Sequence, residues 1–285
     1  MPLRKDLHEA NRASWNAATP AHNSHKGDQA AFLRGGGSTL FPEELRLLGD
    51  VRGKSLVHLQ CNAGQDTLSL AALGARVTGV DISDEAISFA NGLSRDSGLP
   101  GSFVRQDVYD WFAATAKGTE RFDLAFSSYG ALYWLSDIAQ WGRGVASVLK
   151  PGGRFVVVEF HPLWMVFDEE WRLRYPYGEG EVVTTSGVSD YVGKAGDGLW
   201  PWGFQPGERE FHNPHPDHGF QWGLGEIIGA LLGAGLRLEV LEEYPYSNGC
   251  KLLNRMRELP GRRMVPPEDV PRLPLMFGLS ACKPR

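Results

Sequence analysis

Between Leu56 and Glu159, short apolar runs alternate regularly with helical patterns, and this rhythm most constrains the fold. The apolar runs predict five strands, at residues 56–59, 76–80, 103–104, 122–126 and 154–159. Helical patterns lie between them at 66–73, at a segment capped by Ser83, and at 138–149. Strands that alternate with helices predict an α/β fold with a mostly parallel sheet and helices on both of its faces.

The rhythm breaks after Glu159, which suggests four regions. Residues 1–50 hold helical patterns at 7–18 and 42–48 and are expected to form an N-terminal helical cap. Residues 51–159 form the core. Residues 160–220 are rich in aromatic residues, Pro, Gly and His, with short strands expected at 181–185 and 208–212. Because a loop region this long is usually a lid or a binding element, we expect an insertion over the ligand edge of the sheet. Residues 221–285 return to the core with a helix at 224–232 and strands at 236–243 and 276–281.

Composition narrows the classes of partner. The net charge of −5 provides no basic field for nucleic acid or an anionic membrane. No apolar run approaches the roughly 20 residues needed to span a bilayer, and the first residues lack the apolar stretch of a signal peptide. The three cysteines have no metal-ligand spacing. We therefore expect a cytoplasmic protein, monomer or homodimer, with a small-molecule substrate and no metal.

Polar residues follow the predicted strands, at the edge where open α/β sheets bind ligands. A turn containing Gly64 follows the first strand and Asp81 follows the second. Both nicotinamide dinucleotides and S-adenosylmethionine are bound by such a glycine turn and an acid that accepts from ribose hydroxyls. A dinucleotide needs G-x-G-x-x-G so that the backbone can approach its pyrophosphate. The single glycine of this turn favours S-adenosylmethionine, which has no phosphate.

Several segments, in the right order over roughly residues 10–160, resemble those of class I S-adenosylmethionine-dependent methyltransferases. The segment that resembles the first two family motifs is LVHLQCNAGQDTLSLAALGARVTGVDIS. Later motifs are resembled by VRQDVYD, RFDLAFSSYG and LKPGGRFVVVE. The segment NRASWNAATPAHNSH is similar to the cap of small-molecule members. The segment HLQCxxGxDTLSLA resembles that of a subgroup of small-molecule methyltransferases, and His58, Gln60 and Asn62 stand in this sequence where the family usually carries an acid and glycines.

The resemblance implies a doubly wound, Rossmann-like, seven-stranded sheet whose last strand is antiparallel, with a lid-like insertion after strand five. It also implies that Asp81 binds the ribose, that Ile82 packs on the adenine, and that Asp107 accepts from the adenine amine. The implied cofactor-binding residues are Trp15, Gln60, Asn62, Gly64, Asp81, Ile82, Asp107, Val108, Ser127 and Ser128.

Substrate and catalytic residues are expected among the aromatic and histidine side chains near the same edge. The candidates for substrate binding are Tyr129, Tyr133, Trp134, His161 and Trp164. A neutral imidazole can take a proton near pH 7, so His161 and His215 are candidate bases, together with Tyr129. The spacing of His212, His215 and His218 in a proline-containing loop matches no metal site.

These features predict methyl transfer to an oxygen or nitrogen of a small, aromatic or heterocyclic, biosynthetic metabolite by in-line displacement. A nicotinamide-dependent oxidoreductase and a non-catalytic S-adenosylmethionine-binding protein remain alternatives. A protein or RNA methyltransferase is a further one, although acidity argues against RNA. No signature resembling Asn-Pro-Pro-Tyr follows the fourth strand, where SSYG stands.

Overall fold

The computed structural model describes residues 3–285 and is built around one seven-stranded sheet in the order β3-β2-β1-β4-β5-β12-β8. β1 to β5 run parallel, and β12 is antiparallel to both of its neighbours. The predicted seven-stranded sheet with an antiparallel last strand is confirmed. The strands are β1 (Ser55–Leu59), β2 (Arg76–Asp81), β3 (Ser102–Arg105), β4 (Phe122–Ser128), β5 (Leu149–Phe160), β6 (Glu181–Thr185), β7 (Asp217–Gln221), β8 (Arg237–Tyr244), β9 (Ser247–Asn248), β10 (Arg257–Leu259), β11 (Arg263–Val265) and β12 (Met276–Cys282).

Helices cover both faces of the sheet because successive side chains of each central strand pack into buried clusters on opposite faces. On β1, Val57 belongs to one buried cluster and Leu56 to another, and Phe155 and Val156 divide in the same way on β5. This is the period of two expected for strands that are buried on both faces. The helices are α1 (Lys5–Ser24), α2 (Gln29–Arg34), α3 (Pro42–Leu48), α4 (Gln65–Ala72), α5 (Asp84–Ser97), α6 (Val108–Lys117), α7 (Ile138–Val148), α8 (Tyr191–Ala195) and α9 (Leu224–Gly233).

The cap of α5 agrees with its sequence pattern. Ser83 Oγ accepts the backbone N–H of Ala86 at 3.1 Å, and Gly98 ends the helix in a left-handed conformation with a φ of 73°. Both are ordinary terminal devices that satisfy the free backbone groups of a helix. They fix the position at which the chain leaves β2 and enters α5.

The strand expected at residues 208–212 is wrong. That segment is irregular and mostly exposed, whereas a strand forms slightly later, as β7, and pairs antiparallel with β6. Phe220 in β7 is almost fully buried, while the earlier segment buries no apolar side chain against the core. The burial of Phe220 therefore favours a strand at residues 217–221 over one at 208–212. The expected strand at 181–185 is confirmed as β6. The small sheet β10-β11-β9 was not predicted.

The first helix and the region after β5 form a continuous cover at the carboxyl edge of the sheet. The side chain of Asn11 donates to the carbonyl of His218 at 2.8 Å and accepts its N–H at 2.7 Å. The hydroxyl of Ser14 accepts the N–H of Val188 at 3.0 Å. Residues distant in sequence are thus joined above the sheet. The four-part division of the chain at residues 50, 159 and 220 stays a prediction.

Within residues 3–285, no helix combines the length and the apolar composition needed to cross a membrane.

Candidate functional site

A cavity of about 820 Å³ lies at the carboxyl ends of β1, β2, β4 and β5. Its volume is near the upper end of the range for small-molecule sites. The walls come from α1, from the segments that follow these strands, from residues 160–222 and from residues 248–253. The carboxyl edge of the sheet is therefore the floor of a pocket, and α1 and residues 160–222 contribute to its walls.

The turn after β1 keeps a left-handed backbone at two positions that are not glycine. The φ angles of Gln60 and Asn62 are 57° and 49°. Such a conformation costs about 1–2 kcal/mol for a residue with a Cβ. Local bonds offset part of this, since Gln60 Nε2 donates to the carbonyl of Ala131 at 2.6 Å and Asn62 Oδ1 accepts the N–H of Ala63 at 2.6 Å. Both residues line the cavity.

Gly64 shapes the turn from behind rather than lining the cavity. Its φ is 79°, and a Cβ there would lie 2.8 Å from the Cβ of Ala90 and 2.8 Å from the ring of Phe103. Close packing of α5 and β3 against the turn therefore requires glycine at this position. The expected contribution of Gly64 to cofactor binding stays a prediction.

Asp81, at the end of β2, presents a carboxylate to the cavity. Oδ2 accepts the N–H of Asn62 at 2.8 Å and Oδ1 accepts the N–H of Ser83 at 2.9 Å. Burial raises the pKa of this carboxyl, and the backbone N–H groups oppose that rise. Since a carboxylate has about four acceptor positions, each oxygen can still accept a hydroxyl. Ile82 lines the cavity next to it.

Asp107 lines the cavity too, but α1 occupies its oxygens. Oδ1 caps α6 by accepting the N–H of Tyr109 at 2.9 Å and lies 2.7 Å from Lys5 Nζ. Oδ2 lies 2.6 Å from His8 Nδ1. Burial raises the pKa of Asp107, but the hydrogen bonds from His8 and Lys5 outweigh it and bring the pKa down to about 2. The expected contact to an adenine amine would have to compete with these partners. Val108, the next residue, lines the cavity.

A chain of polar side chains crosses the floor where β1 and β4 end. His58 Nδ1 lies 2.8 Å from Thr67 Oγ1, and His58 Nε2 lies 3.2 Å from Ser128 Oγ. Asp66 accepts the hydroxyls of Ser128 at 3.3 Å and of Thr39 at 2.5 Å. Burial lowers the pKa of His58 to about 4, so the imidazole is neutral at pH 7. Asp66 is the only acid in this chain of side chains.

Glu159, at the end of β5, organises the segment after β4. Its carboxylate accepts the backbone N–H groups of Gly130, of Ala131 at 2.8 Å, of Leu132 at 3.0 Å and of Phe160 at 2.7 Å. Burial raises the pKa of Glu159, and these N–H groups oppose the rise. A buried carboxylate with four donors is a fixed support, and it holds the residues that form one wall of the cavity.

The expected aromatic residues do meet at the cavity. Trp15, Tyr133, Trp134 and Trp164 all line it, and the rings of Trp15 and Trp134 cross edge to face at 5.6 Å. Tyr129 lines it as well, and its hydroxyl accepts Asn248 Nδ2 at 2.7 Å. Burial raises the pKa of Tyr129 well above its usual value. At neutral pH this phenol is therefore a hydrogen-bond donor or acceptor and not a base.

Besides Gly64, three predicted residues do not reach the cavity within the described part of the chain. His161 instead caps a short 3-10 helix, with Nδ1 accepting the N–H of Leu163 at 3.1 Å and Nε2 lying 2.9 Å from Glu243 Oε1. His215 is exposed on the outer surface. Ser127 is fully buried and donates to the carbonyl of Leu59 at 3.3 Å. The neighbouring Ser128 does line the cavity.

Several cavity residues carry no signal in the sequence. His8, Asn11, His22 and Lys26 reach the cavity from α1 or just after it. Their role depends on packing between segments that are far apart in the chain, which no local pattern encodes. Asp66 stands in a quoted motif, but its place as the charged group of the floor was missed. Over residues 3–285, no three His, Cys, Asp or Glu side chains gather closely enough to hold a metal ion.

Residues 57–153 match the family model described as a methyltransferase domain. A ubiquinone biosynthesis O-methyltransferase of Methylobacterium sp. (strain 4-46) is 30% identical over 149 residues, which cover 50% of this chain and 55% of that protein. An S-adenosyl-L-methionine-dependent Diels-Alderase, iccD of Talaromyces variabilis, is 33% identical over 107 residues, covering 38% and 36%. The chain thus spans about half or less of the length of these relatives.

A solved structure has a similar fold over nearly its whole length. The S-adenosylmethionine-dependent methyltransferase from Mesorhizobium loti superposes with a TM-score of 0.54 at 22% identity, covering 87% of this chain and 99% of that one. The likeness extends well beyond the residues matched by the family model.

Proposed function

We propose that this chain, which carries a class I S-adenosylmethionine-dependent methyltransferase domain, transfers a methyl group from S-adenosylmethionine to a small molecule. The observation that carries the proposal is Asp81, whose carboxylate faces the cavity beside the turn after β1. Paired ribose hydroxyls are the natural donors to an acid at the end of the second strand. The domain match and the fold support the same cofactor class.

The turn after β1 argues against a nicotinamide dinucleotide. A pyrophosphate is held by free backbone N–H groups of the glycine turn and the helix that follows. Here the N–H of Asn62 is bonded to Asp81, that of Ala63 to the Asn62 side chain, and that of Gly64 to the carbonyl of Cys61 at 3.1 Å. These donors are already used, which fits a cofactor without phosphates.

In this proposal Ile82 and Val108 pack on the adenine, and Trp15 covers the cofactor from α1. S-adenosylmethionine supplies an activated methyl group on a sulfonium leaving group. The protein's part is to align the acceptor behind that methyl and to exclude water. Glu159 contributes by holding the backbone of residues 130–132, and the cover formed by α1 and residues 160–220 encloses the cavity.

For the acceptor, we propose an oxygen or nitrogen of an aromatic or heterocyclic biosynthetic metabolite. Tyr133, Trp134 and Trp164 provide flat apolar walls that suit such a ring. The two histidines expected as bases lie away from the cavity, and Tyr129 is protonated at pH 7. An acidic phenol or enol, or a free amine, fits this setting because it needs no strong base. We also propose a cytoplasmic monomer or homodimer.

Calorimetric titration with S-adenosylhomocysteine and with NADH tests the cofactor. We expect S-adenosylhomocysteine to bind, and Asp81→Asn to weaken that binding about tenfold or more because a charged acceptor is lost. Asp50→Asn, on an exposed loop, is the matched control. Tight binding of NADH without affinity for S-adenosylhomocysteine would sink the proposal.

Turnover with methyl-labelled S-adenosylmethionine against a panel of phenols, enols and amines tests the transfer itself. This second measurement is needed because a relative named as a Diels-Alderase depends on the same cofactor. Transfer of label to a panel member supports the proposal. Binding without any transfer across the panel favours the non-catalytic alternative.

A further inference from the structure

Asp217, at the start of β7, brings a buried carboxylate to the cavity from the region after β5. It pairs with Thr185 on β6, and its Oδ2 accepts the hydroxyl of that residue at 2.9 Å. Among residues 3–285, no hydrogen bond or ion pair reaches Oδ1, although the side chain is only 5% exposed and lines the cavity. Burial raises the pKa of Asp217, and the Thr185 hydroxyl and the nearby His218 oppose that rise. A buried carboxylate with one oxygen free favours a ligand group that donates a hydrogen bond to it.

The other charged groups of the cavity lining do not occupy this oxygen. The acids along the edge of the sheet accept hydrogen bonds from neighbouring backbone or hydroxyl groups: Asp66, Asp81, Asp107 and Glu159. In the region after β5, Asp168 Oδ1 accepts the N–H of Arg172 at 3.0 Å, and Glu169 is exposed. Lys26, Lys194 and Lys251 also line the cavity, but within residues 3–285 none of them forms an ion pair with Asp217. The free oxygen of Asp217 is therefore available to a ligand.

Gln221, at the other end of β7, lies on the same face as Asp217 because side chains alternate along a strand. Its Nε2 donates to the carbonyl of Met165 at 3.3 Å, which fixes the orientation of the amide. Gln221 lines the cavity and is 4% exposed, and within the described chain its Oε1 is buried without a hydrogen-bond partner. A buried acceptor without a donor costs free energy, so this position also favours a ligand that brings a donor.

The ring of Tyr133 packs on the backbone of β7 between these two side chains. A Cβ on Gly219 would fall 1.6 Å from Cζ of Tyr133, so glycine at this position lets the ring lie against the strand. Residues 217 and 221 are about 13 Å apart along an extended strand. Two hydrogen-bond acceptors separated by an aromatic surface suit a flat molecule of about two rings with a donor at each end.

We propose that this face of β7 binds the methyl acceptor as a phenol, with Asp217 accepting the hydroxyl that is methylated and Gln221 accepting a second donor at the far end of the molecule. This inference rests on the proposed function and selects oxygen over nitrogen, because a neutral amine needs no base. As the phenol oxygen bonds to the methyl carbon, the carbon–sulfur bond breaks and its electron pair stays on sulfur. The hydroxyl proton passes to the carboxylate of Asp217 and from there to solvent.

Two acceptors on one scaffold distinguish a base from a structural residue. 4-Hydroxybiphenyl keeps its proton at about pH 8, whereas the same phenol with a nitro group beside the hydroxyl is largely ionised and needs no base. With methyl-labelled S-adenosylmethionine, we expect Asp217→Asn to slow transfer to 4-hydroxybiphenyl about 100-fold or more and transfer to the nitrophenol less than about threefold. Asp197→Asn, exposed in the same region, is the matched control. Equal losses for the two acceptors would make Asp217 structural and overturn the proposal.

A second hydroxyl tests the other end of the site. The unaltered protein, saturated with S-adenosylhomocysteine, should bind 4,4′-dihydroxybiphenyl about tenfold more tightly than 4-hydroxybiphenyl, and Gln221→Met should abolish that preference. Gln140→Met, on α7 and outside the cavity lining, should keep it. Calorimetric titration measures both affinities. If the unaltered protein shows no preference, the two-ended site is wrong.

The outcomes separate this acceptor site from the proposed function. A protein that binds S-adenosylhomocysteine but methylates only amines, or binds none of these phenols, overturns the acceptor site and leaves the cofactor assignment standing. If the unaltered protein does not bind S-adenosylhomocysteine, the proposed function falls and the acceptor site falls with it. Should Asp217→Asn fail to fold, Asp217→Ser, whose hydroxyl can still bond to Thr185, carries the same comparison of the two acceptors.

Discussion

The Nδ1 atom of His8 lies 2.6 Å from Oδ2 of Asp107 and ties the first helix to the start of α6. Lys5 joins the same carboxylate from one turn earlier on α1, at 2.7 Å from Oδ1. An acid that lines the cavity therefore also anchors α1, which contributes to the wall of the same cavity.

Asp107→Asn should remove a pH-dependent stabilisation. The pKa of Asp107 is about 2 in the folded chain and near 3.8 when unperturbed, so folding favours the ionised form. This contribution to the free energy of unfolding is complete above about pH 5 and is lost as the pH falls towards 2. It amounts to about 2 kcal/mol. Urea unfolding of the unaltered protein and of Asp107→Asn should show a difference in the free energy of unfolding that is smaller at pH 3 than at pH 7. A difference independent of pH would contradict the ion-pair account.

Gly64→Ala should destabilise the fold by about 2–4 kcal/mol, because it combines a positive φ with overpacking against Ala90 and Phe103. Gly229→Ala is the matched control, since a Cβ in that exposed helical position meets nothing within 4 Å. That control should be neutral or stabilising by up to about 1 kcal/mol. Thermal unfolding of both variants decides the matter, and equal effects would refute the packing argument.

Glu159→Gln should lower the free energy of unfolding by about 2–3 kcal/mol, because an amide nitrogen would face backbone N–H groups that now donate to a carboxylate. The loosened backbone at residues 130–132 should also weaken binding of S-adenosylhomocysteine. Chemical denaturation and calorimetry measure the two effects. Glu181→Gln, on exposed β6, provides the control, and a Glu159 variant as stable as that control would show that the support is dispensable.

His161→Ala separates a structural histidine from a base. The geometry predicts a stability loss of about 1 kcal/mol, since a cap to Leu163 and a polar contact with Glu243 disappear. Affinity for S-adenosylhomocysteine should stay within about twofold, because the side chain does not reach the cavity. Unfolding curves and titrations on the same sample test both parts. A large fall in methyl transfer with normal stability would restore His161 as a base.

The sequence predicted the structure best where a short local pattern determines the position of a residue in the fold. Strand alternation fixed the order in which Asp81, Asp107 and Ser128 reach one edge, because parallel strands end together. The cap at Ser83 followed from the same kind of local rule. No local rule predicts that Lys26 lines the cavity, because its position depends on a contact with residues 203–204, far along the chain.

The histidine expectations failed for a related reason. His161 follows β5 at the correct edge, yet its ring turns towards Glu243 and the antiparallel strand β12 rather than the cavity. Position after a strand predicts the place of a backbone and leaves the direction of the side chain open. His215 lies in an irregular segment, as expected, but its side chain is exposed and does not reach the cavity.

The left-handed backbone at Gln60 and Asn62 makes the shape of the turn dependent on side-chain hydrogen bonds. A glycine at a turn position indicates that a left-handed backbone costs little free energy there. Ligand binding depends instead on the torsion angles that the turn adopts. This turn adopts them with side chains in place and secures them by hydrogen bonds to Ala131 and Ala63. The conformation that glycine would adopt freely is therefore maintained here by hydrogen bonds, and it depends on Ala131 and Ala63 staying in place.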